Sequence, residues 1–392
     1  MSVIVVIKDE AMPAAFIARA EAEGMEVKTF ESLDRLFEIM NREVEDLPLD
    51  RYPEISSVEP GDKVLRATFV QDLDFSAGWN DDNWALARHT RRDPPWPIYG
   101  ARLPFSSDVD LDRDGTGVDI YVIDTGIEVA HPEFDGRATM IYEFTSTGGV
   151  GDDHGHGTAC SACAAGSNIG FARGALLWGA KVLANDNTGS IANIVAGINA
   201  AVTHYNGRSA TNRPAVMSIS IIGDSSGYNS AIAAATAAGI VVVAAAGNDA
   251  SNLDGSYGGF PAESPGALAV GAIQPGDAPA SFTNYGTRVD LLAAGYLVWT
   301  AGLQSLVPGG YRSWNGTSFA CPTVAGCIAC VLQDYQRLTN HEQTQIVKNY
   351  MKDQATWDRY LPDPRFEPMT PAILYLEPGA VYPAVPGLTP LA

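Results

Sequence analysis

Val118-Asp119-Ile120-Tyr121-Val122-Ile123-Asp124-Thr125-Gly126 is a strand-forming run that stops on a carboxylate and a glycine turn. Apolar side chains at both parities belong to a strand covered on both faces. Similar runs occupy residues 179–183, 216–221 and 240–246, and between them residues 191–204 and 229–238 read as small-residue helices. Buried strands separated by helices predict an α/β fold with a mostly parallel central sheet. Such sheets carry their sites at the carboxyl ends of the strands.

Outward from this core the grammar changes. Residues 1–65 read as strand, helix, helix, strand. Apolar residues fill 3–7, and helical spacing marks 13–23 (Phe16, Ile17, Ala20) and 32–42 (Leu33, Leu36, Phe37, Met40). A second strand follows at 55–58. A small α+β domain is predicted there. Residues 66–115, with Pro94-Pro95-Trp96-Pro97 and an acidic stretch at 108–114, read as a linker. Residues 116–355 form the large domain, which includes a long helix from Thr317 to about Asp334 and another over 342–354. From 361 onward eight prolines fall in 32 residues. Residues 356–392 are therefore expected to be extended chain, packed on the body or reaching to a partner.

The chain has 392 residues, with 46 Asp and Glu against 25 Lys and Arg and a net charge of −21. Residues 1–115 hold 24 acidic and 13 basic side chains and the remainder 22 and 12, so the excess is shared. A field of that sign repels phosphate, which argues against nucleic-acid and anionic-membrane partners. A hydrophobic content of 46% excludes disorder of the whole chain. The first ten residues lack a basic region, and the apolar run at 3–7 is too short for a signal or a membrane span. The expectation is an intracellular protein, or one exported or packaged by a route the sequence does not display. Five cysteines, an odd number, cluster as Cys160 and Cys163, then Cys321, Cys327 and Cys330. That argues against a disulfide framework. The Cys-x2-Cys pairs have zinc-like spacing, but Cys327 and Cys330 lie in an apolar helical run where small buried thiols are the commoner explanation.

Three polar, glycine-rich segments carry the chemistry. Asp124 directly follows a buried run and can orient a neighbouring group, although an Asx-turn has the same appearance. His156, in Asp152-Asp153-His154-Gly155-His156-Gly157-Thr158, stands between glycines at a helix entrance, where imidazole can shuttle a proton. A helix cap or a metal-binding His/Asp cluster would read similarly. Ser318, in Asn315-Gly316-Thr317-Ser318-Phe319-Ala320-Cys321-Pro322, opens a long helix whose free N–H groups favour an oxyanion. Pro322 is placed in that helix's first turn, and Thr317 or Ser318 is equally suited to a plain N-cap. A serine needs a base to take its proton, and the base needs an acid to fix its tautomer. The chain order Asp, His, Ser is one of the orders such triads use.

In this order the chain resembles the subtilisin family of serine proteases, nearer its proteinase K branch, across about residues 80–355. The resemblance rests on Asp124-Thr-Gly-Ile-Glu-Val-Ala-His131-Pro132-Glu133-Phe134, on Gly155-His156-Gly157-Thr158 and on Gly316-Thr317-Ser318-Phe319-Ala320-Cys321-Pro322. Val241-Val-Val-Ala-Ala-Ala-Gly247-Asn248-Asp249 resembles the oxyanion segment, with support from Lys181-Val182-Leu183, Val270-Gly271-Ala272 and Ser281-Phe-Thr-Asn-Tyr-Gly286. The resemblance implies a three-layer subtilisin-like fold and a serine endopeptidase acting on peptide or protein substrates. It makes Asp124, His156 and Ser318 the triad and Asn248 the oxyanion donor. Substrate-binding residues are then Ser220, Ile221 and Ile222 on one rim, Gly189, Ser190 and Ile191 on the other, and Ala245, Ala246 and Gly247 beside the oxyanion position. Residues 1–65 resemble the subtilisin propeptide, which implies that the chain's own N-terminal domain assists folding and inhibits until cleaved within about 66–82.

Departures narrow the reading. Ala159 and Thr323 stand where the family usually has histidines. Ile222 replaces a usual glycine, and a β-branched side chain there would crowd an extended substrate. The family's main calcium loop has no room between His156 and Leu183, which leaves calcium an open alternative without a clear site; otherwise no metal or cofactor is expected. A rival reading is a catalytically silent binding or assembly module on the same fold.

Overall fold

The structure, a computed structural model, describes four strands within residues 2–60 and residues 84–90, 113–143, 151–223, 227–255, 259–357, 366–367, 372–375 and 385–391. The chain divides into two compact units, Met1–Trp79 with Trp96–Pro104, and Asn80–Pro95 with Phe105–Ala392.

In the first unit, β1 (Ser2–Ile7), β2 (Glu26–Phe30), β3 (Leu33–Met40) and β4 (Ile55–Pro60) form an antiparallel sheet in the order β2-β3-β1-β4. The helix expected over 32–42 is instead β3. Leu33, Leu36, Phe37 and Met40 do match a helical period. Yet Phe37 is flanked by Val5 of β1 on one side and Thr29 of β2 on the other, and these ladders satisfy the backbone along both edges. Pairing with neighbours outweighed the local period. The helix expected over 13–23 and the cleavage region at 66–82 lie outside the described residues.

The second unit begins with α1 (Trp84–His89), inside the stretch read as linker. Arg88 and His89 are fully buried. The Arg88 Nε and Nη2 groups donate to the two carboxylate oxygens of Asp277 at 2.5 and 3.0 Å.

Seven strands follow: β5 (Asp119–Asp124), β6 (Ala138–Glu143), β7 (Leu176–Lys181), β8 (Ala215–Ile219), β9 (Ile240–Ala245), β10 (Ala267–Ile273) and β11 (Leu291–Ala294). Their order is β11-β10-β9-β8-β5-β7-β6, and each neighbouring pair is parallel. The helices are α2 (His156–Ala165), α3 (Ile191–Gly207), α4 (Tyr228–Ala237), α5 (Thr317–Leu332) and α6 (His341–Gln354). Successive strand residues point to opposite faces. Ile120, Val122, Val241 and Val243 pack with α2, α5 and α6, while Tyr121, Ile123, Val242 and Ala244 pack with α3 and α4. This is a three-layer α/β arrangement on a parallel sheet.

The sequence reading had not marked β6, β11 or the hairpin of β12 (Val298–Ala301) and β13 (Tyr311–Trp314) that leads into α5. The described parts of the C-terminal segment pack on the body. Leu292 of β11 exchanges backbone hydrogen bonds with Ala372 and Leu374 at 2.8 Å each, and Leu391 N donates to Asp334 O at 2.8 Å. All five cysteines are buried free thiols. Among the described residues no helix is long and apolar enough to cross a membrane.

Candidate active site

Strand β5 ends on Asp124 and α2 begins on His156, and both side chains are buried. The His156 Nδ1–H donates to Asp124 Oδ1 at 2.7 Å, and the same oxygen accepts from Thr125 N at 2.7 Å. Gly157 makes this approach possible. A β-carbon at that position would strike the Gly126 carbonyl, so any larger residue would push the helix start away from the turn after β5.

Asp152 fastens the two segments together. Its Oδ1 accepts from Thr125 Oγ1 at 2.9 Å and from the amides of His154 and Gly155 at 3.0 and 2.8 Å. Its Oδ2 accepts from Thr158 N and Oγ1 at 2.9 and 2.6 Å. Behind them the buried Lys181 ammonium donates to Thr125 O at 2.8 Å and Asp153 Oδ1 at 2.5 Å. Burial by itself would lower the His156 pKa. The Asp124 charge, the hydrogen bond to it and the Asp152 charge outweigh that and raise it.

Ser318 is the second residue of α5 and half-buried. In the first turn the Thr317 amide is taken by Asn248 Oδ1 at 2.8 Å and the Phe319 amide by Gly316 O at 3.1 Å. The Ser318 amide has no acceptor within the helix. Pro322 is not in the first turn as expected but inside the helix, where it denies an amide to the Ser318 carbonyl. Two side chains replace that bond: Ser220 Oγ donates at 2.8 Å and Cys160 Sγ at 3.2 Å. Ser318 Oγ in turn donates to Ser220 O at 3.4 Å. The Cys160 thiol also lies 3.8 Å from His156 Nδ1, so one buried group touches both the histidine and the serine residue. Burial and the Asp124 charge push this thiol's pKa well up, which keeps it protonated.

Asn248 follows β9 and is exposed. Its Oδ1 accepts from Thr317 N and from Thr317 Oγ1 at 3.0 Å, which leaves its amide hydrogens directed away from those contacts. Thr317 Oγ1 also accepts from Gly247 N at 3.1 Å. The buried Asn284 braces the same loop: its Nδ2 donates to Ala246 O at 2.8 Å, and its Oδ1 accepts from Asp249 N and Ser251 N at 3.0 and 2.9 Å.

The other candidate positions lie as follows. Ser220 and Ile221 are buried beyond the end of β8, whereas Ile222 is 37% exposed. Ala245, Ala246 and Gly247 are buried at the end of β9. Gly189, Ser190 and Ile191 are exposed, and Ser190 caps α3 by accepting from Asn193 N at 3.1 Å. The sequence reading missed Asp152, Cys160, Thr317 and Asn284 as site-building residues. Asp152 and Thr317 lie inside quoted motifs and Cys160 two residues after one, but all three act through partners distant in sequence, and Asn284 sits in the matched segment 281–286. Among the described residues, Asp124, His156 and Cys160 offer ligand-type atoms within 4.8 Å of one another. A metal there would have to displace the His156–Asp124 hydrogen bond, since His156 Nδ1 already serves Asp124.

The chain is similar to the cuticle-degrading protease of Metarhizium anisopliae, at 39% identity over 219 residues, 56% of this chain and 54% of that one. It thus spans little more than half that relative's length. Similarity to the alkaline serine protease ver112 of Corniculantispora psalliotae is 34% over 329 residues, 83% and 78% of the two chains. Among solved structures, a cold adapted subtilisin-like serine proteinase superposes with a TM-score of 0.63 at 29% identity, covering 75% of this chain and 98% of that one. The subtilase family model matches residues 115–368. With that match spanning the parallel sheet and the segments bearing Asp124, His156 and Ser318, the chain belongs to the subtilase family.

Proposed function

We propose that the protein is a serine endopeptidase. His156 takes the proton of Ser318 Oγ as general base and returns it to the leaving amine as general acid. Asp124 fixes the imidazole with Nδ1 protonated and stabilises its cationic form. Ser318 attacks the carbonyl, and the Asn248 amide with the Ser318 N–H receives the oxyanion. An extended peptide lies as an added strand between the rims at Gly189–Ser190–Ile191 and Ser220–Ile221–Ile222. Residues 1–65 act as the chain's own inhibitor until removed. The reaction so drawn uses side chains and backbone amides alone, with no cofactor.

One observation carries this reading: the buried 2.7 Å His156–Asp124 hydrogen bond at the carboxyl end of β5, tied through Cys160 to Ser318 at a helix start. The decisive experiment compares wild type with Ser318→Ala by mass spectrometry and by cleavage of an unfolded protein substrate. Cleavage and loss of an N-terminal piece in the wild type alone are expected. Equal proteolysis by Ser318→Ala would refute the assignment, and a chain inert in both forms would favour the silent binding module.

A further inference from the structure

Strands β8 and β9 run in register up to Ile219 and Ala244, and then part. Beyond that point Gly223 turns to pair with Phe260, N–H to O at 2.7 Å and in return at 3.0 Å. Ala246 N instead donates to Val270 O at 2.9 Å, on the side of β10. The divergence leaves a crevice walled by Ser220–Ile221–Ile222 and Ala245–Ala246–Gly247. Its mouth is the reacting end of the site. Asn248 is the next residue after one wall, and Ser318 Oγ reaches Ser220 O on the other.

Chain geometry dictates what enters. The carbon bearing the attacked carbonyl's side chain is one bond from that carbonyl. With the carbonyl held by Asn248 and the Ser318 amide and the peptide paired along Ser220–Ile221–Ile222 as proposed above, that side chain enters between these two walls. The space is already taken. A β-carbon added to Gly247 would collide with both Ile222 Cδ1 and Asn284 Nδ2, so the end of the Ile222 side chain lies against Gly247 on the other wall.

Neither wall yields easily. The Gly223–Phe260 bridge holds the residue after Ile222, and the β-branch stiffens χ1 of Ile222 itself. Asn284 grips the opposite wall through Ala246, Asp249 and Ser251.

We infer that Ile222 is the specificity-determining residue, restricting the acyl-side position next to the scissile bond to glycine and alanine. The inference rests on the proposed endopeptidase reading and deepens it to a substrate class: peptides with small side chains at the cleaved residue. Larger apolar residues are excluded because they need the volume that Ile222 fills.

The test uses the full chain and tetrapeptide p-nitroanilides that differ only in the last residue: glycine, alanine, leucine or phenylalanine. Wild type is expected to favour alanine over phenylalanine in kcat/KM by about tenfold to a hundredfold, the range in which apolar pockets discriminate by size. In Ile222→Gly, and to a smaller extent Ile222→Ala, the alanine-to-phenylalanine ratio falls at least tenfold. A fluorophosphonate, which needs no side chain in the crevice, reports separately whether Ser318 is reactive. A labelled wild type that cleaves phenylalanine as well as alanine overturns the inference while leaving the endopeptidase reading intact. So does an unchanged ratio in labelled Ile222→Gly and Ile222→Ala. A wild type that is neither labelled nor active on any peptide overturns both.

Discussion

Ser318 and Pro322 stand four residues apart in α5, and the proline leaves the serine's carbonyl to be bonded by Ser220 and Cys160 in place of a helical amide. A defect in the helix thus becomes a tether between Ser318, the segment after β8 and α2. Removing the Ser220 hydroxyl leaves that carbonyl with only the weaker Cys160 thiol contact, a loss of about 1 kcal/mol. The expected result is that Ser220→Ala lowers stability by that amount in wild type. In a Pro322→Ala background, where an amide again reaches Ser318 O, it costs clearly less. Urea denaturation of the four chains decides this, and equal costs in both backgrounds would refute the coupling.

Asn248 is held by its oxygen, through Thr317 N and Oγ1, which leaves its nitrogen for the proposed oxyanion contact. Replacing it with alanine is expected to reduce kcat by about a hundredfold to a thousandfold with little change in KM. Steady-state kinetics on a peptide substrate check this. A loss confined to KM would remove Asn248 from oxyanion stabilisation.

The proposed base works only when neutral, and the pKa of His156 is raised. Activity should therefore increase with pH through a midpoint above the ordinary histidine value. Asp152 contributes to the rise by its charge, so Asp152→Asn is expected to move the midpoint of kcat/KM to lower pH. The movement is expected alongside some loss of stability, because Asp152 accepts five hydrogen bonds around Thr125 and Thr158. A pH–rate profile with an unmoved midpoint would count against the charge effect.

His89 gives an acid-stability prediction of opposite sign. Its complete burial, together with the neighbouring Arg88 charge, lowers its pKa to about 3. The unfolded chain binds a proton near the ordinary histidine value of 6.5, which the fold refuses. Between those values the unfolded state holds more protons, so stability is lost as pH falls, by up to about 1.4 kcal/mol per unit from this group. His89→Gln, which cannot titrate, is expected to show a shallower loss between pH 6.5 and 3. Chemical denaturation across that window measures both slopes.

The strands that decide the architecture were legible because they are buried on both faces and need no partner to show it. Runs beginning at Val118, Val216 and Ile240 could belong only to such a sheet. Residues 33–40 were not legible, since Leu33, Leu36, Phe37 and Met40 satisfy a helix and only pairing with β1 and β2 makes them a strand. The three chemical segments were visible as motifs, whereas the groups that assemble them were not. Asp152 acts on Thr125, Thr317 on Asn248 and Asn284 on Ala246 across separations that local spacing does not encode. Pro322 was seen but misplaced, because its meaning depends on which residue begins the helix.

The position of His89 has one more consequence. Its Nδ1–H bonds Leu374 O at 2.9 Å, and its Nε2 accepts from Ala294 N at 2.9 Å, so a single imidazole clasps the leading helix and the trailing segment to the same edge strand. Chain ends are where fraying and trimming usually begin. Shortening the chain back to residue 375 leaves the clasp intact, whereas losing Leu374 bares a buried ring and loosens the opposite terminus. The two ends of this unit therefore guard each other.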